Sequence, residues 1–281
     1  MRRFGRSFCF LLTITALAEV LPAAALAAPA KPKAADSTVV LGNGTVASVP
    51  NGNLIVMDND WRYRLDNILV PSYEQQKAAA LLKKEFLGQH VTLYGYAQPP
   101  GQTPVTTDKS GATYAQVVAD NGVWAQALLV TKGLAQAYVS PSGNDRLPDL
   151  LRLEAKARAA KLGLWAFNNN AVRSPVEAGS YLGTYQIVQG KIVAVVPAKG
   201  VDNGIYFNFS KDWKHGFSVF LPSNFTGWYK PPDPRAVRYG NAMLWQGRTV
   251  MVRGWIDEAN GKPIIKVTQK EQMDVVPQSE Q

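Results

Sequence analysis

The chain is almost without cysteine: its 281 residues include one, Cys9. That residue lies in an N-terminal stretch with the features of a removable leader, so the mature protein is expected to hold no disulfide and no cysteine-based metal site. Histidine is nearly as scarce, with only His90 and His215. Two histidines do not supply a His-rich metal centre, and they leave little for a Ser-His-Asp arrangement in either half of the chain. No block of consecutive Lys or Arg marks a dedicated polyanion patch, and the single long apolar run is broken by Glu19 and Pro22.

That run belongs to residues 1–27, where Arg2, Arg3 and Arg6 precede FCFLLTITALAEVLPAAALA. A basic start, a short apolar stretch and small residues at an A-x-A site read as a secretory signal peptide, with Ala25-Leu26-Ala27 as the first choice of cleavage triplet and Ala28-Pro29-Ala30 as the second. A membrane anchor is the competing reading, but a spanning helix needs about 20 apolar residues. The expectation is an exported chain, periplasmic or secreted, with no integral span once the leader is gone. Removing the leader lowers the net charge from +9 to +7, with 27 basic against 20 acidic residues. The excess is spread evenly, +3 on residues 28–172 and +4 on 173–281. It attracts polyanions such as nucleic acid or acidic envelope surfaces, and it equally serves plain solubility.

Residues 28–43 open with Ala, Pro and Lys and read as a flexible leader. Short β-type runs follow at 45–49, 54–57, 61–68, 90–97 and 113–119, punctuated by Gly, Pro, Asn and Asp. Helical patterns occupy 73–87, 123–132 and 148–162, each ending at a glycine (Gly88, Gly133 and Gly163). The last repeats Leu150, Leu153, Ala157 and Ala160 at three- and four-residue steps, which makes one apolar face. A linker is expected over 168–182, then a second β-rich region over 183–276 with runs at 185–196, 205–209, 217–221, 249–256 and 263–268, and a tail at 277–281. Gly88–Tyr96 and Gly247–Trp255 share the pattern G-x-x-V-x-[LV]-x-G-aromatic. Five strands in each region suit a small closed Greek-key barrel of the oligonucleotide/oligosaccharide-binding (OB) type. The predicted class is thus α+β/all-β: a five-stranded OB-type barrel with three helices, followed by a second small β-barrel.

Several motifs in the first region stand together: Asp108-Lys-Ser-Gly111, Asn121-Gly-Val, Ala127-Leu-Leu-Val-Thr-Lys-Gly-Leu-Ala135, Glu154-Ala-Lys-Ala-Arg158 and Leu162-Gly-Leu-Trp165. With Arg64-Leu65 and Val70-Pro71 upstream, residues 44–167 resemble a staphylococcal-nuclease-like domain. That resemblance implies an OB barrel with three helices and calcium-assisted hydrolysis of phosphodiesters. Such chemistry needs hard oxygen ligands, a carboxylate to handle water, and guanidinium groups to offset charge on the phosphate.

Position by position, the resemblance places one family arginine at Arg64, seven residues before Pro71. The glutamate after the proline is Ser72, the aspartate two before it is Leu69, the aspartate after the early turn is Asn53, and the second arginine is Ala112. Each of these four changes removes a full charge, and losing one such group commonly costs about 10²–10³ in rate. Two substitutes are conceivable. Glu74 could replace the missing glutamate, or could simply be an exposed residue favouring the dipole of a helix first turn. Lys109 could reach a phosphate, or be a solvated turn residue. Arg64 itself could be a surface-strand arginine paired with Asp66 or Asp58.

The second region resembles the extra β domain that follows a nuclease-like domain in some exported bacterial proteins, on the strength of 205–213, 217–219 and 247–256. Tyr206, Trp213, Trp255, Arg253 and Lys266 could form a stacking and cationic face for single-stranded nucleic acid, or could be core and turn anchors. Three readings stay open. The first is an exported binding or scaffolding module without catalysis, for nucleic acid or an envelope partner. The second is a calcium-assisted phosphodiesterase with a rewired site, and the third a binder of envelope glycan or protein through Phe225–Trp245. Only the second needs a metal; otherwise no cofactor is expected.

Overall fold

In the computed structural model, residues 38–96, 106–166, 172–198, 203–224 and 244–276 are described. The signal peptide expected at 1–27, residues 28–37 of the leader, residue 97 of the run expected at 90–97, residues 168–171 of the expected linker, residues 225–243 of the Phe225–Trp245 segment and the tail at 277–281 lie outside them.

The first barrel is built from β1 (Thr38–Asn51), β2 (Leu54–Met57), β3 (Arg62–Leu65), β5 (His90–Tyr96) and β6 (Thr113–Ala119), closed in the order β1-β2-β3-β6-β5. Five strands close because β1 is long enough to pair twice, its first half with β5 and its second half with β2. Alternation sets the faces: Tyr63 and Leu65 on β3 are buried, while Arg62 is exposed and Arg64 half-exposed between them. The parallel pairing of β3 with β6 aligns Arg64 with Tyr114. β1 starts at Thr38, so residues 38–43 of the expected flexible leader are strand, in register with Thr92–Tyr96. Gly42 and Asn43 mislead there because backbone pairing, not side-chain burial, orders that half of the strand.

Three helices cover the barrel, as the sequence pattern predicts: α1 (Gln75–Phe86), α2 (Ala125–Thr131) and α3 (Leu147–Ala159). α1 packs on β1 through Ala78, Leu82 and Phe86, four residues apart and each 0% exposed. Burying a side chain of the Leu or Phe kind is worth roughly 1.5–3 kcal/mol. α2 packs on α3 and β6. The end of α2 and the end of α3 meet at two glycines. A Cβ on Gly133 (φ 66°) would fall 2.1 Å from the Leu162 carbonyl oxygen, and one on Gly163 (φ 54°) 2.2 Å from the Gly133 carbonyl oxygen. Leu164 N–H donates to the Gly133 carbonyl at 2.8 Å across this contact. The two short motifs around these glycines are thus halves of one joint. Beside it, the two-residue strands β4 (Ile68–Leu69) and β7 (Gln136–Ala137) pair and tie the loop after β3 to the chain after α2.

The second region has a core of its own, with Val188, Phe207, Val219, Val252 and Ile265 all 0% exposed. Its strands do not form one ring among the described residues. β8 (Tyr185–Lys191), β12 (Thr249–Trp255) and β15 (Met273–Val275) make a three-stranded sheet. β9 (Ala194–Pro197), β10 (Gly204–Asn208), β11 (Ser218–Pro222), β13 (Asp257–Ala259) and β14 (Lys262–Lys266) make a five-stranded one. The expected run at 185–196 is therefore two strands in two sheets, split where Ile192 turns inward between β8 and β9. Part of the expected linker is ordered: Arg173 bridges in parallel to Val188, and Ala178–Tyr181 form a 3-10 turn. No helix among the described residues is long and apolar enough to cross a membrane.

Candidate functional site

Strand β3 presents Arg64 at the barrel wall, and two turns come up to meet it. The turn between β1 and β2 holds Asn53, whose main-chain oxygen accepts from Leu65 N–H at 2.9 Å. Its side-chain oxygen accepts from Arg64 Nη1 at 2.7 Å. The turn before β6 holds Asp108. Arg64 donates to Asp108 Oδ2 through Nε at 2.8 Å and Nη2 at 2.7 Å. The other oxygen, Oδ1, accepts from Ser110 N–H (2.8 Å), the Ser110 hydroxyl (2.7 Å) and Ala112 N–H (3.0 Å). Partial burial pushes the Asp108 carboxyl up, but the hydrogen bonds from Ser110, Arg64 and Ala112 outweigh it and hold the group at about 2. Arg64 is thus spoken for by Asp108, not by Asp66 or Asp58.

The other candidates of the first domain do not join this cluster. Lys109 sits on the exposed outside of the Asp108 turn. Ala112, which follows Gly111 in that turn, is fully buried. Glu74 lies in a 3-10 turn (Ser72–Glu74) and is buried, contrary to the reading of an exposed first-turn residue; its carboxylate is 3.2 Å from Lys77 Nζ. No hydrogen bond or ion pair joins it to Arg64 among the described residues. Leu69 and Ser72 line a cleft of about 640 Å³ whose far wall, Gly183–Gln186 and Trp255, belongs to the second domain. Behind them Asp66 and Asn67 are buried in a polar network: Asn67 Oδ1 accepts from Tyr96 Oη (2.6 Å) and Gln116 Nε2 (2.7 Å), and Asp66 accepts from the Ser142 hydroxyl. Burial raises the Asp66 carboxyl above its ordinary value. These contacts hold the 138–144 loop to the end of β3 and face the protein interior.

The expected cationic face of the second domain divides. Arg253 is 5% exposed and faces the first domain, not solvent. Its Nη2 donates to Glu154 Oε2 of α3 at 2.7 Å and its Nη1 to the Ala137 carbonyl at 3.1 Å. Burial opposes the Arg253 charge, and the Glu154 carboxylate more than restores it. Arg253 is therefore a joint between domains, and its assignment to a nucleic-acid face does not hold. The missed signal is Glu154 itself, which sits on the buried face of α3 with Leu147, Leu150 and Ala157. A carboxylate on an apolar helix face demands a partner. Trp255 closes the same joint. Its ring lies edge-on to Tyr185, 6.0 Å between centroids, and Tyr185 in turn meets Tyr138 at 5.0 Å. Lys266 is exposed on β14. Tyr206, half-buried on β10, lines a separate groove together with Trp213 and three lysines.

Residues 69–167 match the family model for staphylococcal nuclease homologues. The match starts after Arg64 and Asn53 and includes Leu69, Ser72, Glu74, Lys109 and Ala112. An uncharacterized 38.1 kDa protein from Capnoides sempervirens is 30% identical over 142 residues, half of this chain. The chain spans 38% of that protein's length.

Proposed function

We propose that this chain, whose first domain is nuclease-like, is an exported protein that no longer hydrolyses phosphodiesters and works as a binding or scaffolding module for nucleic acid or an envelope partner. The observation that carries the reading is the state of Arg64. A transition-state arginine must present free N–H groups to the phosphate. Here three of the five N–H groups are engaged, those of Nε and Nη2 by Asp108 and one of Nη1 by Asn53, all within 2.8 Å, and the Asp108 carboxylate already offsets the guanidinium charge that a phosphate would need. Among the described residues, the other positions of the resemblance are not filled by substitutes. Ala112 is buried where the resemblance puts the second arginine, and Glu74, the one carboxylate just past Ser72, is turned to Lys77.

Calcium does not suit this donor set. The ion takes six to eight oxygens, several of them carboxylate. Leu69 offers none, the Asn53 oxygen already accepts from Arg64, and both Asp108 oxygens accept from N–H and O–H donors. Among the described residues, no three or more His, Cys, Asp or Glu side chains gather as metal ligands.

The test is a zymogram with denatured DNA and RNA, in calcium and in chelator. No clearing is expected at protein loads where an active nuclease digests the gel within minutes. Clearing in calcium that disappears in an Arg64→Ala variant sinks the non-catalytic reading.

A further inference from the structure

The groove around Tyr206 has a composition that the first domain does not explain. It holds about 960 Å³ and runs across the outer face of β9 and β10 toward the turns at Lys211–His215 and Asn260–Lys262. Among the described residues its lining includes Tyr206, Trp213, Lys211, Lys214 and Lys262, and no carboxylate. Asp212, the nearest acid in sequence, is turned to His215 Nδ1 at 2.9 Å.

Two aromatic faces are held ready. Trp213 is 60% exposed among the described residues, so its ring face is open to a ligand. Its place is fixed by the turn: Asp212 N–H donates to Ser210 Oγ at 3.0 Å, and the Asp212 carboxylate takes the N–H groups of Lys214 (3.2 Å) and His215 (3.3 Å). Tyr206 is braced from behind by Phe220, 4.9 Å between centroids. In the free protein each ring carries a lysine, Lys214 Nζ at 5.7 Å from the Trp213 ring and Lys262 Nζ at 4.7 Å from Tyr206. Lys262 also reaches the Trp213 carbonyl at 3.4 Å, so the two aromatic positions belong to one unit. Partial burial disfavours the Lys262 charge, which an incoming anion would stabilise.

We infer that this groove is a binding site for single-stranded nucleic acid, with bases stacking on Trp213 and Tyr206 and phosphates paired by Lys211, Lys214 and Lys262. Stacking surfaces alternating with cations match a strand whose bases are unpaired, whereas a duplex keeps its base faces covered. A neutral glycan would stack on the tryptophan but would leave three lysines without anions. The site names a ligand for the binding role proposed above, but it does not depend on the first domain being inactive.

The test uses the full chain and a labelled ten-residue oligo-dT, followed by fluorescence anisotropy at 50 mM salt with chelator present, so that any cleavage is kept out of the measurement. Trp213→Ala is expected to weaken binding roughly 10- to 100-fold with an unchanged melting curve. Lys211→Ala with Lys214→Ala is expected to flatten the slope of log K against log salt by about 1.4, or about 0.7 for each phosphate contact. Lys84→Ala, exposed on α1 of the first barrel and away from the groove, should bind like the parent. The inference is overturned if the oligonucleotide does not bind at 50 mM salt. It is equally overturned if Trp213→Ala binds like the parent, if Lys84→Ala flattens the salt slope as much as the Lys211→Ala with Lys214→Ala double variant, or if polyphosphate, which has no rings, competes as well as oligo-dT does.

Discussion

Asp108 takes five donors on two oxygens, three from its own turn and two from Arg64. Its carboxyl is held at about 2 against an ordinary 3.8. A carboxyl with a depressed folded-state value stabilises the fold above its unfolded value, and that contribution is lost as pH falls through the folded one. The Arg64–Asp108 contact should therefore be fully present above about pH 4 and fade toward pH 2. Asp108→Asn should cost roughly 1–3 kcal/mol at pH 7. Urea denaturation at pH 7, 4, 3 and 2.5 should show the gap between parent and variant closing over the last three; a gap that stays constant would show that the charge contributes nothing. At this scale the sequence located Arg64 and the Asp108 turn separately. Their meeting is invisible in it, because 44 residues and two strands separate the partners and candidate carboxylates, Asp58 and Asp66, lie closer along the chain. The burial of Glu74 is hidden for a similar reason: it depends on what covers the turn, not on the turn.

Elements were legible wherever a side-chain period or a glycine stop marked them. α1, α2 and α3 end within a few residues of their predicted stops, and β2 and β6 lie where alternation and turn residues put them. α3 differs in its buried face, which runs through Leu147, Leu150, Glu154 and Ala157, leaving Ala160 exposed. A simple apolar count rejects Glu154 from that face because its partner lies on another domain. The joint between α2 and α3 makes a sharp prediction. Gly133→Ala puts a methyl 2.1 Å from a carbonyl oxygen at a positive φ, so neither backbone can yield without moving its helix end. A loss of more than about 2 kcal/mol is expected, read as a fall in the denaturation midpoint. Gly88→Ala, also at positive φ but with no atom within 4 Å, serves as the control and should lose distinctly less.

Across the described residues, the contacts that join the two domains include the buried Glu154–Arg253 ion pair, a row of aromatic rings and the contact of Arg158 Nη1 with Met251 Sδ at 3.1 Å. Breaking such a pair from one side leaves a buried charge and costs about 3–5 kcal/mol, whereas replacing both partners with apolar groups is often neutral. Arg253→Ala should therefore destabilise strongly and split one calorimetric transition into two, as the domains melt apart. The double change Glu154→Leu with Arg253→Met should recover most of the loss. Two transitions in the parent protein would show that the pair does not couple the domains.

The sequence by itself determined the nuclease-like domain, its helices and barrel strands, and the residues standing at each position of the resemblance. Those depend on local periods, turn residues and short motifs, which one chain displays in order. Only the tertiary structure decided that Arg64 is engaged by Asp108 and Asn53, that Arg253 joins the domains instead of facing solvent, and that Trp213 and Tyr206 share a groove with three lysines. The reason is physical. Whether a charge is free or paired, and whether a ring is core or surface, depends on groups brought close by folding, and their distance along the chain carries no record of it.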